Sequence, residues 1–294
     1  MTVRTHRVPL SGSSRALEVR NPAGSTTVEA DPAAAEIVLE VQALNSVAEE
    51  LIDRLDLVVT SSSVRLAVPE RRLLRTPSFA ISVITPPAVA VTVAGASADT
   101  TLRGRLDNAV LTSASGDLDV EHCTELQARS ASGDVRVGRV EGRATVGTAS
   151  GDIRITAAGG DVQARTASGD VVLGDLATDA TVQTASGDVR IDRACSGTLR
   201  LTTVSGDASV SVEPGLRIWL DVQTVSGRMR SELDDDGPGE QRGTAQLTAV
   251  LKSVSGDLQL RRAVPRPPTP PAPPTPPVLS TPPVVPVPPS PARS

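Results

Sequence analysis

The chain has 294 residues, a net charge of −5 and an ordinary apolar share of 39%, enough for a sizeable core. One Trp, one Phe, no Tyr and two Met leave Val, Ala, Leu, Ile and Thr to fill it, a composition suited to strands stacked in a narrow, regular structure. The weak, mixed charge excludes a nucleic-acid footprint, and no stretch reaches the roughly 18 apolar residues of a membrane helix.

No apolar run follows the basic residues of Met1-Thr2-Val3-Arg4-Thr5-His6-Arg7, so no secretory signal is expected and the cytoplasm is the expected compartment. Leu17–Arg20 and Thr26–Val28 flank Asn21-Pro22-Ala23-Gly24, a strand-turn-strand signal. Ile37–Val41 reads as a strand. Ser46-Val47-Ala48-Glu49 is a capping box ahead of Leu51, Ile52 and Leu55 at helical spacing, which predicts a short helix near 46–55. Strands follow at 56–68 and 79–93, the second interrupted by Pro86-Pro87. Residues 1–96 are therefore expected to form an irregular, β-rich cap.

From 97 to 262 a repeat takes over. Ser-Gly-Asp begins at Ser115, Ser132, Ser150, Ser168, Ser186, Ser205 and Ser255, with degenerate copies at Ser97-Ala98-Asp99 and Ser226-Gly227-Arg228. Alternating stretches such as Val135-Arg136-Val137 and Ile153-Arg154-Ile155 follow the tripeptide, and others such as Val162-Gln163-Ala164 precede it. The apolar pairs recur every nine residues. That sub-period favours a flattened, two-sided coil over the triangular coil of hexapeptide-repeat acyltransferases. The expected fold is an all-β, single-chain parallel β-solenoid of about nine rungs of roughly eighteen residues, right-handed by the crossover rule. The acidic run Asp234-Asp235-Asp236-Gly237-Pro238-Gly239 reads as a loop between two rungs.

The tripeptide supplies the candidate structural residues. Gly116, Gly133, Gly151, Gly169, Gly187, Gly206, Gly227 and Gly256 are expected to turn each corner through positive φ. Asp117, Asp134, Asp152, Asp170, Asp188, Asp207 and Asp257 are expected to bond local backbone. Stacked carboxylates repel, and Asp134/Arg136, Asp152/Arg154 and Asp188/Arg190 suggest an alternating ladder of charges as the remedy. Calcium-binding repeats use paired glycines and denser carboxylates; only Gly159-Gly160-Asp161 looks like them, so ordinary turn chemistry is preferred.

Cys123 and Cys195 lie four rungs apart along one edge, about 19 Å at 4.8 Å per rung, too far for a disulfide, and are expected to stay free. Residues 263–294 form a Pro-rich tail, extended or disordered, in which Arg262-Ala263-Val264-Pro265-Arg266-Pro267-Pro268 matches a pattern read by SH3-type grooves.

The repeated Thr-Ala-Ser-Gly-Asp-Val-Arg, as at Thr184–Arg190, resembles the bacterial β-strand-repeat family called domain of unknown function 4097, or putative adhesin. The Leu17–Val28 segment, Pro86-Pro87 and the final Ser253–Leu258 match its layout, so the likeness covers roughly 15–262. The resemblance implies a β-solenoid, no established chemistry and, by analogy, a cell-surface role.

No catalytic residue, cofactor or metal site is expected. The leading reading is a non-catalytic scaffold or interaction module that meets a protein partner through its rod face or its tail. A carbohydrate-active β-helix enzyme is the alternative, but Trp219 and Phe79 are the only aromatics available for a sugar platform. His6 and His122, the only histidines, are expected at the surface.

Overall fold

A computed structural model describes residues 2–9, 16–69, 76–233 and 246–264. The acidic run at 234–239 and the tail from Pro265 onward lie outside the described residues, and residues 1–264 form one compact unit. The first strands are β1 (Val3–Pro9), β2 (Ala16–Ala30) and β3 (Glu36–Ala43), followed by helix α1 (Ser46–Leu51). Next come β4 (Asp56–Val59), β5 (Ser63–Ala67), β6 (Phe79–Thr85), β7 (Ala90–Thr112) and β8 (Leu118–Arg129). Short paired strands continue with β9 (Val135–Val140), β10 (Ala144–Gly147), β11 (Ile153–Ala158) and β12 (Val162–Arg165). After them lie β13 (Val171–Leu176), β14 (Ala180–Gln183), β15 (Val189–Ala194) and β16 (Gly197–Ser205). The last are β17 (Ala208–Val212), β18 (Ile218–Ser226), β19 (Met229–Ser231), β20 (Leu247–Ser255) and β21 (Leu258–Arg262).

The repeat winds as a parallel β-solenoid with two strands per rung. Odd strands stack on odd and even on even: Ile153 pairs with Val135 and Val171, and Val162 with Ala144 and Ala180. Alternation sets the burial, since Val135 and Val137 face in while Arg136 faces out. A bend missed in the sequence then appears within the first strand of each rung. Its third inward residue comes after three positions rather than two, as in Val135, Val137, Val140. The column so formed runs Leu106, Cys123, Val140, Ala158, Leu176, Ala194, Val212, all buried.

The N-terminal segment is more closely joined to the stack than its irregular sequence suggests. Residues 16–29 pair in parallel with 90–103 of β7, and β2 pairs on its other side with β5 and β6. The Asn21–Gly24 turn is a corner of the coil, where buried Asn21 donates to the carbonyls of Ser25 and Phe79. Only β1, β3 and β4 run antiparallel, over the outside of β6 and β5. The helix is capped one residue earlier than the capping box implied: Asn45 Oδ1 accepts the Ala48 N–H at 2.8 Å.

Sequential stacking fails at the far end. Strand β20 lies between β16 and β18, and β21 lies between β17 and β19. The last described rung is thus threaded one layer inward, and among the described residues the rung at 218–231 is outermost. The consequence is visible in burial. Leu247, Ala249 and Leu251 are buried, whereas their neighbours Ile218, Leu220 and Val222 are only half-buried.

The corner glycines also need a different explanation. Gly116, Gly133, Gly151, Gly169, Gly187 and Gly227 are not in the positive-φ region; of the corner set only Gly206 and Gly256 are. What excludes a side chain is the neighbouring rung. A Cβ on Gly169 would lie 2.0 Å from the carbonyl oxygen of Gly151, and each corner glycine meets the rung beneath in the same way. Gly169→Ala should therefore cost about 2 kcal/mol or more by overpacking. Gly147→Ala, whose Cβ would meet nothing closer than Arg165 O at 3.9 Å, should be near neutral. Urea unfolding of the two variants checks this, and equal midpoints would remove the close-approach account.

Candidate interaction surfaces

The repeat places its aspartates in one column at the corner. Each Oδ1 accepts the backbone N–H of the equivalent residue on the next rung. Asp99 accepts from Asp117, Asp117 from Asp134, Asp134 from Asp152 and Asp152 from Asp170, all at 2.9–3.0 Å. Asp170 accepts from Asp188, Asp188 from Asp207, Asp207 from Asp257 and Asp257 from Arg228, at 2.8–2.9 Å. The ladder follows the stack, not the sequence. Gly116, Gly133, Gly151 and Gly169 donate to a hydroxyl three residues earlier, those of Ser113, Ser130, Thr148 and Thr166. In the later rungs the hydroxyls of Thr184, Thr203, Thr224 and Ser253 have no such partner.

The expected Asp–Arg ladder is realised at one rung only. Arg136 bridges Asp134 at 2.7 Å and Asp117 of the neighbouring rung at 3.2 Å. Arg190 turns instead to Asp192, and Arg154 is in no ion pair among the described residues. Repulsion along the column is met mainly by the backbone N–H groups, because charge-assisted hydrogen bonds outweigh exposed pairs. The ladder's outer side carries two shallow grooves, one lined by Asp134, Asp152, Asp170, Arg136 and Arg154, the other by Asp188, Asp207, Asp257 and Arg261. Among the described residues no cluster of three or more His, Cys, Asp and Glu is arranged to hold a metal ion.

At the bend, Glu141 accepts from Arg105 at 2.9 Å and lies 3.0 Å from His122 Nε2. Partial desolvation pushes its carboxyl up, but the hydrogen bonds and charges of His122 and Arg105 outweigh this and hold it low. His6 is half-buried on β1. Cys123 is buried in the core column, and burial, with the Glu141 charge, pushes its thiol up to about 12. Cys195 is half-buried beside Glu213 and also raised, by burial first. Both are free.

Large exposed apolar side chains were not singled out in the sequence, and they occupy the ends. Among the described residues Val3, Leu44, Val58, Val59 and Ile84 lie at the N-terminal end; Val204, Val254, Val225, Trp219 and Met229 lie on the last three layers, followed by Val264. None falls between Ile84 and Val204. A signal existed: the residue before Ser-Gly is Ala at 114, 131, 149, 167 and 185, but Val at 204, 225 and 254. Phe79 is buried, and Trp219 stands 52% exposed on the outermost rung. No helix among the described residues is long and apolar enough to cross a membrane.

Two outcomes follow from these contacts. Asp152→Asn keeps an acceptor for the Asp170 N–H and should leave stability nearly unchanged, while Asp152→Ala should cost about 1–3 kcal/mol. Equal urea midpoints for the two would rule out the carboxylate ladder. Because the Cys123 thiol stays protonated throughout the neutral range, alkylation of native protein at about pH 8 should modify Cys195 alone. Denaturation without reductant should then expose Cys123 as a second free thiol; failure of both cysteines to react would mean a disulfide between them.

The family model described as Toastrack DUF4097 matches residues 88–261. A crystal structure of a putative adhesin from Bacteroides fragilis is 12% identical, with 88% of this chain and 97% of that one covered and a TM-score of 0.43. A putative lipid binding protein from Parabacteroides distasonis is 15% identical, covering 89% and 97%, with a TM-score of 0.45. A putative adhesin from Parabacteroides merdae is 10% identical, covering 88% and 95%, with a TM-score of 0.41. No curated protein matches the sequence. A model spanning more than half of the chain, on the segment that carries the Ser-Gly-Asp ladder, makes this protein a member of the Toastrack DUF4097 family.

Proposed function

We propose that the chain is a non-catalytic, adhesin-like interaction module, a rod whose body spaces and whose ends bind protein. The observation that carries this is the distribution of exposed apolar side chains. From β7 to the start of β16 the outward positions are mostly polar or charged, such as Thr145, Gln163, Thr181 and Arg154, with Val110 and Val172 half-buried, and no large apolar side chain is exposed. Isolated exposed apolar residues need no explanation, but their confinement to the two end regions favours interaction sites there. The Asp column does not favour calcium, since one oxygen of each carboxylate is already engaged by backbone.

The test is capture by the immobilised full chain from an extract of the producing cells. Three variants are compared: Trp219→Ser/Val225→Ser/Val254→Ser at one end, Val58→Ser/Val59→Ser at the other, and Arg154→Ser on the body. Specifically retained proteins should be lost with at least one end variant and kept with the body variant. Loss with the body variant alone would move the interface to the side of the rod.

A further inference from the structure

We propose that the rung at 218–231 is a self-association surface, on which β18 pairs antiparallel with β18 of a second copy about a two-fold axis through Val222. This rests on the reading of the rod's ends as its interacting surfaces, and names the partner at one of them.

The first observation is that this edge is open. Among the described residues β18 pairs with β20 alone, and β19 with β21 alone. Its inward residues Ile218, Leu220 and Val222 are half-buried, and Met229 is 43% exposed, because among the described residues no rung covers them.

The second is that the β18 half of this edge is undefended, whereas β19 is three residues long and carries Arg230. Edge strands avoid association through shortness, prolines and cationic side chains. The opposite end has these devices: β1 carries Arg4, Arg7 and Pro9, and β4 is only four residues long. Strand β18 is nine residues, Ile-Trp-Leu-Asp-Val-Gln-Thr-Val-Ser, with no Lys, Arg or Pro.

The third is that β18 complements itself. In antiparallel pairing centred on Val222, Trp219 falls opposite Val225 of the second copy, and Asp221 opposite its Gln223, each pair occurring twice. The first is an aromatic–β-branched pair, and it would cover Trp219, 52% exposed, and Val225, 83% exposed. The second sets a carboxylate against an amide donor. On the inward side Leu220 meets Thr224 and Val222 meets itself, joining the two cores.

The fourth argues against an open fibre. From Asp99 onward every described rung that bears another in parallel carries the corner aspartate, and this one has Arg228 in its place. With no carboxylate to accept the next N–H, head-to-tail continuation lacks its corner bond. A closed two-fold contact needs none, because the partner strand runs the other way.

The test is sedimentation equilibrium of the full chain over a concentration series, with tryptophan emission recorded in parallel. Trp219 is the only tryptophan, so emission should shift to the blue as the dimer forms. Gln223→Asp sets like charges opposite each other twice and should weaken self-association about tenfold. Gln223→Lys sets opposite charges there and should hold or tighten it. The Gln223 side chain is exposed, so neither change should disturb the fold. A monomer at every concentration would overturn the pairing, and so would a dimer with unshifted emission or one equally strong in both variants. A monomer whose capture of other proteins still depends on the end residues would overturn self-pairing while leaving the end-binding reading in place.

Discussion

The backbone N–H of each corner aspartate ends on a side-chain oxygen of the neighbouring rung, not on a carbonyl. A coil that reverses direction twice per turn must satisfy its peptide groups through the corners as well as along the strands. The carboxylate does this at the first corner, and the rest of the repeat adapts to it. Glycine is needed because the corners approach to within van der Waals contact, backbone on backbone. The residue after the aspartate then donates to the aspartate carbonyl of the next rung, as Val135 does to Asp152 at 2.8 Å, and the parallel ladder starts in register. One side chain therefore fixes the vertical spacing, the register and the sharpness of the turn.

Threading is the second constraint. In a solenoid stacked in simple chain order, the terminal strands have one neighbour and fray first. Here β2 and the β20–β21 pair each sit one layer in from an end, paired on both sides. At the far end the outer described layer, β18 and β19, is an internal segment of the chain. The arrangement needs contacts of high sequence separation, such as Asp207 with Asp257, and such contacts slow folding. In return, the last described strands, β20 and β21, are held on both sides.

Much of this was legible in the sequence, and the misses have definite causes. The period of the tripeptide and the alternation around it were enough for the parallel coil and its two strands per rung. The bend after Val137 was hidden because Cys123, Val140, Ala158 and Ala194 form a column too varied and too small to read as apolar periodicity. The glycines were assigned to positive φ, a local property, when the cause is a clash with a residue eighteen positions away. The Asp–Arg ladder was expected from charge pairing along a strand, yet the stronger partner was a backbone N–H, which has no letter in the sequence. The threading of β20 was missed because a repeat is read in chain order. Arg228 was nevertheless a clue, since the rung that bears no parallel successor is the one free to lose its aspartate.

A strict repeat places the same side chain at every layer, so its body offers a partner the same contact at every height and no unique address. Specificity has to come from departures from the repeat. The departures here are Val for Ala at 204, 225 and 254, Arg for Asp at 228, and the lone Trp219. In the sequence they are scattered across some fifty positions and interrupted by an intact Ser-Gly-Asp. In the stack they fall on three consecutive layers, because β20 is threaded between β16 and β18. The same threading that secures the last described rung therefore gathers these irregular residues on three adjacent layers at one end.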